Sequence, residues 1–138
     1  MSAKDIYHAA VKSALIKDNW TISSNPYLIQ CEDIDLAADI ADARPIAAER
    51  EGQKIVVEIE CFVGRALMLD FHQAVGRYKL YQMLLEKTAP EYELYLAIDD
   101  IIYENFFRRD GIDFLARSNQ IKFFAVNIDE GAIVQWIS

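Results

Sequence analysis

The chain has 138 residues, with 14 Lys and Arg against 22 Asp and Glu, and so a net charge of −8. Hydrophobic residues make up 53% and charged residues 26%, which excludes a disordered chain, and five Gly with three Pro exclude a low-complexity one. The acidity argues against nonspecific nucleic-acid binding, which draws on a basic surface, and no apolar run approaches the ~20 residues of a membrane span.

Ser2 through Asp5 fits a capping box, with Asp where Glu is usual. Behind it Tyr7, Ala10, Val11, Ala14 and Leu15 recur at i, i+3, i+4, i+7 and i+8, predicting an amphipathic helix ending near Asp18. This stretch lacks the apolar core of a signal peptide, so a cytoplasmic location is expected. Trp20–Ser23 and Tyr27–Gln30 read as short β-like pieces separated by Asn25-Pro26. Ile46–Arg50 and Lys54–Phe62 flank Glu51-Gly52-Gln53 and predict a β-hairpin. Within its second strand Ile55, Val57 and Ile59 point one way, and Val56, Glu58 and Glu60 the other.

A long helix follows Gly64, with Leu67, Phe71, Ala74, Tyr78, Tyr81 and Leu85 on one face. Tyr92–Ile98 reads as a strand, and Asp99–Arg117 as a helical region broken near Gly111. Ile121–Val126 and Ala132–Ile137 read as strands joined through Asp129-Glu130-Gly131. With no repeat or linker visible, residues 1–138 read as one α/β domain, a mixed central sheet flanked by helices.

The charge is unevenly spread. Residues 31–60 hold nine acids and three bases, six of the eight net negative charges. Such a stretch is either a solvated face or a cation site, since Mg²⁺ and Mn²⁺ take oxygen ligands. Glu58 and Glu60 stand two apart on one strand and therefore on one side. A solvent-facing strand accounts for them without any function. A divalent-metal nuclease site is the alternative, built from an upstream Asp, an acid on a strand, and a Lys two residues later. There the metal activates water and the Lys meets developing negative charge. Glu49 shares the side of Glu58 across the hairpin and reads as a solvated hairpin residue.

Elsewhere the sequence carries weaker signals. Asp5 and His8 are spaced to touch on the first helix, most simply as a surface pair. His72 reads as surface. Cys31 and Cys61 form neither a disulfide framework nor a CxxC metal site, and Cys61 has no partner that marks a catalytic thiol. Tyr92, Tyr95, Phe106, Phe107, Phe123, Phe124 and Trp136 read as core. Arg108-Arg109, with Arg117 and Lys122, is the candidate phosphate-facing patch.

Several segments together resemble the XisH family, the fdxN-element excision controlling factors of filamentous cyanobacteria. They are Asp5-Ile-Tyr-His8-Ala-Ala-Val11 through Asp18, Ile46-Ala-Ala-Glu49 through Glu58-Ile, Phe62-Val-Gly64, Ala74-Val-Gly-Arg-Tyr78 through Tyr81, and Val134-Gln-Trp136-Ile. The resemblance implies membership of the PD-(D/E)XK, or restriction-endonuclease-like, superfamily and its mixed sheet flanked by helices. It matches Asp39 to the family's upstream acid and Glu58 to its strand acid, 19 residues apart. The family pattern then departs: Glu60 stands at the Lys position, Cys61 follows it, and Arg77 replaces the usual Gln in Gly-Gln-Tyr.

These departures imply a vestigial site of Asp39, Glu58, Glu60 and Arg77. Asp39 and Glu58 are the expected metal ligands, for Mg²⁺ or Mn²⁺ bound weakly, and Arg77 is a candidate substitute cation. The resemblance implies a regulatory factor for site-specific DNA rearrangement, acting beside the XisF recombinase and a XisI-like protein. The alternatives are an active Mg²⁺-dependent DNA endonuclease and a partner-binding module of a XisH/XisI-like pair. Direct DNA contact is expected to be weak at this net charge, and a homo-oligomer is compatible with each reading.

Overall fold

The computed structural model describes residues 2–35, 44–62 and 66–137. The first helix, α1 (Ala3–Lys17), is closed by the expected box: the Ser2 side chain accepts from the Asp5 amide, and the Asp5 carboxylate accepts from the Ser2 amide. It buries Ala10, Val11, Ala14 and Leu15, as their spacing requires. Strand β1 (Thr21–Ser24) follows, then a small separate ribbon, β2 (Gln30–Cys31) with β3 (Ile34–Asp35). Tyr27 is not in a strand. Its ring packs against Tyr92 at 5.3 Å, which explains its apolar character without a sheet.

β4 (Ile46–Arg50) and β5 (Gln53–Ile59) form the predicted hairpin, with Ile46 opposite Val57 and Glu49 opposite Lys54. Glu51 and Gly52 both have positive φ, the type I′ geometry whose twist suits a two-residue hairpin. Helix α2 (Leu67–Thr88) carries the chain to β6 (Glu93–Asp99). A short helical turn, α3 (Asp100–Ile102), widens into one π-helical turn over Tyr103–Phe107. Helix α4 (Asp110–Ser118) leads to β7 (Phe123–Asn127) and β8 (Ala132–Ile137).

The break expected near Gly111 falls at Arg108-Arg109. The π turn consumes one extra residue, and Gly111 sits in the first turn of α4, where it does not interrupt a helix interior.

The six-stranded sheet has the order β1-β4-β5-β6-β7-β8. The β5–β6 and β6–β7 pairs are parallel and the other pairs antiparallel, a mixed sheet. On one face α1 packs Val11, Ala14 and Leu15 against Ile55, Val57, Ala97 and Phe124. On the other, α2 and the π turn pack Phe71, Ala74, Tyr78, Phe106 and Phe107 against Val56, Leu96 and Phe123. The alternation read in β5 therefore holds, with odd residues toward α1 and even residues toward α2. The last hairpin is pressed onto α1: a Cβ on Gly131 (φ +61°) would stand 2.8 Å from Ser13 Oγ. Among the described residues, no helix is long and apolar enough to cross a membrane.

Candidate functional site

The site lies at the carboxyl end of β5. Period-two alternation carries Glu58 onto the α2 face, in register with Leu96 of β6. Glu60 stands one residue beyond the strand, where its amide still donates to the Ala97 carbonyl at 3.3 Å. Both residues are buried, Glu58 to 4% and Glu60 to 7% exposure. A solvent-facing strand is thereby overturned. The helix whose apolar face covers Val56 also covers these carboxylates.

Arg77 projects from the middle of α2 and sets its Nη1 3.4 Å from Glu60 Oε1, with a third of its side chain exposed. Glu58 has no such partner. Neither of its carboxylate oxygens has a hydrogen bond of acceptable geometry, although Glu60 is close enough to act on it. Its pKa is held well above the ordinary carboxylate value, first by burial and then by the neighbouring Glu60, with Arg77 pulling the other way. Tyr81, buried one helical turn beyond Arg77, has its phenol pushed up by burial and by Glu58. Tyr78 is structural: its hydroxyl donates to the Leu94 carbonyl at 2.9 Å and accepts from the Lys122 amide at 3.1 Å.

A second set of polar groups lies on the α1 face of the sheet. The Tyr7 hydroxyl donates to Asp99 Oδ2 at 2.9 Å, and Asp99 Oδ1 accepts from the Ile101 amide at 2.9 Å. Cys61 belongs to this side, and its thiol is pushed up to about 11 by burial and then Glu60, so it is no activated nucleophile. Sequence reasoning missed this set. Tyr7 was counted within an apolar helical face, and only its phenolic oxygen distinguished it. Asp99 looked like the opening of a helical region, which it also caps.

Other candidates are dispersed. Asp5 pairs with Arg44 at 3.0 Å, and this hydrogen bond is the first cause of its lowered pKa. His8 does not bond Asp5 but turns inward, with Nε2 buried and unpartnered and its pKa lowered by burial. Glu49 meets Lys54 at 3.8 Å, half exposed at the far end of the hairpin from Glu58. His72 is exposed. The expected basic patch is largely neutralised: Arg108 pairs with Glu104 at 2.7 Å, Arg117 with Asp113 at 2.9 Å, and Lys122 with Glu93 at 3.2 Å. Arg109 lies over the Phe106 ring.

The arrangement fits a divalent ion only in part. The buried, unpartnered Glu58 is the kind of oxygen donor such an ion takes. Yet no group of three His, Cys, Asp or Glu comes together among the described residues, and Arg77 already lies against Glu60. Asp39, the expected second ligand, lies outside the described residues.

The fold and the carboxylate pair define a helix-flanked mixed-sheet domain with an acidic site at the end of its first parallel strand. The XisH protein family matches residues 1–134, and the chain belongs to that family. It is similar to the crystal structure of an XisH family protein from Nostoc punctiforme PCC 73102, with 36% identity and a TM-score of 0.88 over 97% of this chain and 100% of that one. It is equally similar to that of a fdxN element excision controlling factor protein from Anabaena variabilis, at 36% identity and TM-score 0.88 over 97% and 99% of the two chains. No match was found among curated proteins.

Proposed function

We propose that this protein is an excision controlling factor of the fdxN-element type, acting in the cytoplasm in site-specific DNA rearrangement without cutting DNA itself. On this reading the fold is of the PD-(D/E)XK type and its cleavage site, Asp39 with Glu58, Glu60 and Arg77, is vestigial. Family membership supports the role. One observation supports the loss of chemistry: Glu60, which the resemblance aligns with the family's lysine, is a buried carboxylate held by Arg77. In-line attack on phosphate builds negative charge, and losing one well-placed electrostatic contact costs on the order of 10²–10³ in rate.

Supercoiled plasmid incubated with the purified protein and Mg²⁺ or Mn²⁺ is therefore expected to remain uncut. Nicking that disappears in Glu58→Ala would establish the endonuclease reading instead.

The strand exchange falls to a recombinase, and the protein's contribution is made through partners, a XisI-like protein first among them. The acidic net charge and the neutralised Arg108 and Arg117 favour protein over naked DNA as the main contact. Co-expression with a XisI-like protein is expected to yield a complex that survives purification. Two proteins eluting separately at micromolar concentration and low salt would remove the partner from this reading.

A further inference from the structure

We propose that Arg77 is the resident cation of the Glu58–Glu60 pair, holding the electrostatic position that a divalent metal takes in a metal-loaded carboxylate site. The inference rests on the vestigial-site reading above and adds the reason a metal would bind there at best weakly.

Three observations carry it. First, two buried carboxyl groups lie on one side of the chain at the end of β5, and like charges so placed repel unless a cation stands between or beside them. Second, Glu58 is more than nine-tenths buried and both its oxygens lack a hydrogen-bond partner. The strand end is thus built to receive positive charge and is not satisfied by the surrounding backbone. Third, the cation lying against this pair is a guanidinium: Arg77 Nη1 lies 3.4 Å from Glu60 Oε1 and reaches it from a half-buried position on α2. A divalent ion at the pair would sit within a few ångströms of that guanidinium. It would have to displace Arg77 from Glu60 or bear its repulsion in a poorly solvated place. The single positive charge of Arg77 also explains an asymmetry. It sits on Glu60, and Glu58 is left without a partner.

Arg77→Gln keeps a polar side chain, removes the charge and opens the way from solvent. The test is calorimetric titration of the full chain with Mn²⁺ at pH 8, for the unmodified protein, Arg77→Gln, Arg77→Lys, and Arg77→Gln combined with Glu58→Gln. The unmodified protein and Arg77→Lys are expected to bind Mn²⁺ at best weakly. Arg77→Gln is expected to bind at least about tenfold more tightly, and the double variant to lose that gain. If Arg77→Gln does not fold in buffer alone, millimolar Mn²⁺ is expected to restore its far-ultraviolet circular dichroism.

A folded Arg77→Gln with no gain in affinity would overturn the proposal, as would an unmodified protein binding just as tightly or an unfolded variant indifferent to Mn²⁺. Plasmid nicking by the unmodified protein would refute the non-cleaving role; with the Mn²⁺ affinities as expected it would leave the assignment of Arg77 standing, and with tight Mn²⁺ binding to the unmodified protein it would overturn both.

Discussion

Glu58→Gln is expected to stabilise the protein at neutral pH, by roughly 1–3 kcal/mol, the order of the penalty for a buried polar group left without a partner. The side chain keeps its shape, loses a charge that burial disfavours, and gains an amide that can donate to the Glu60 carboxylate. The pH dependence is the sharper test. Burial and Glu60 raise the Glu58 pKa above its ordinary value of 4.5. Above that value the folded state holds a proton that the unfolded state has released. Stability contributed by protonated Glu58 is therefore full below about pH 4.5 and is lost as pH rises toward and through the raised folded value. Urea unfolding between pH 4 and pH 8 should show the advantage of Glu58→Gln small at the acid end and growing upward. An equal gain at both ends, or a loss throughout, would mean that Glu58 is not the strained group.

Phe107→Ala is expected to cost about 3–5 kcal/mol, the range for removing a large buried aromatic. Phe107 is 2% exposed. Its ring stands 5.4 Å from Phe62, 5.6 Å from Phe71, 5.9 Å from Phe106 and 5.2 Å from Phe123. The π turn makes this packing available: the Arg108 amide reaches back five residues to the Tyr103 carbonyl, and the widened turn lets the successive Phe106 and Phe107 both enter the core. Phe62 lies two residues beyond Glu60, so the cavity opens beside the segment that holds the carboxylate pair. Phe114→Ala, on the 66%-exposed residue of α4, is the control and should change stability by no more than about 0.5 kcal/mol. Comparable losses in the two variants, measured by urea unfolding, would contradict this picture of the core.

Much of this architecture can be read in the sequence because its elements are strongly periodic. The stripe from Ala10 to Leu15 and the longer one from Phe71 to Leu85 name the buried faces of α1 and α2 directly. Positive-φ residues Glu51 and Gly52 mark the hairpin. What is missed is tertiary. The break near Gly111 is legible, but its exact place is set by a π turn that buries two adjacent rings. Tyr27 looked strand-like because it is aromatic, yet it is half-buried against the Tyr92 ring outside any strand.

At the site, alternation puts Glu58 and Glu60 on one side, but their burial depends on α2 lying over that face. That is a tertiary fact with no local signature. The Tyr7–Asp99 bond spans 92 positions and has no signature either.

The seating of the final hairpin on α1 bears on how the chain assembles. Lys17 donates to the Glu130 carbonyl 113 positions away, Gly131 lies against Ser13, and α1 touches β8 as well as β1, β5 and β7. During synthesis α1 therefore emerges long before the surface that covers its apolar stripe exists. Val11, Ala14 and Leu15 stay without their full partners until β8 has left the ribosome. Contacts this distant in sequence slow folding, because loop-closure entropy is spent before the packing is gained. Of the helices described, α1 is made before the others and is among the last to be locked in place.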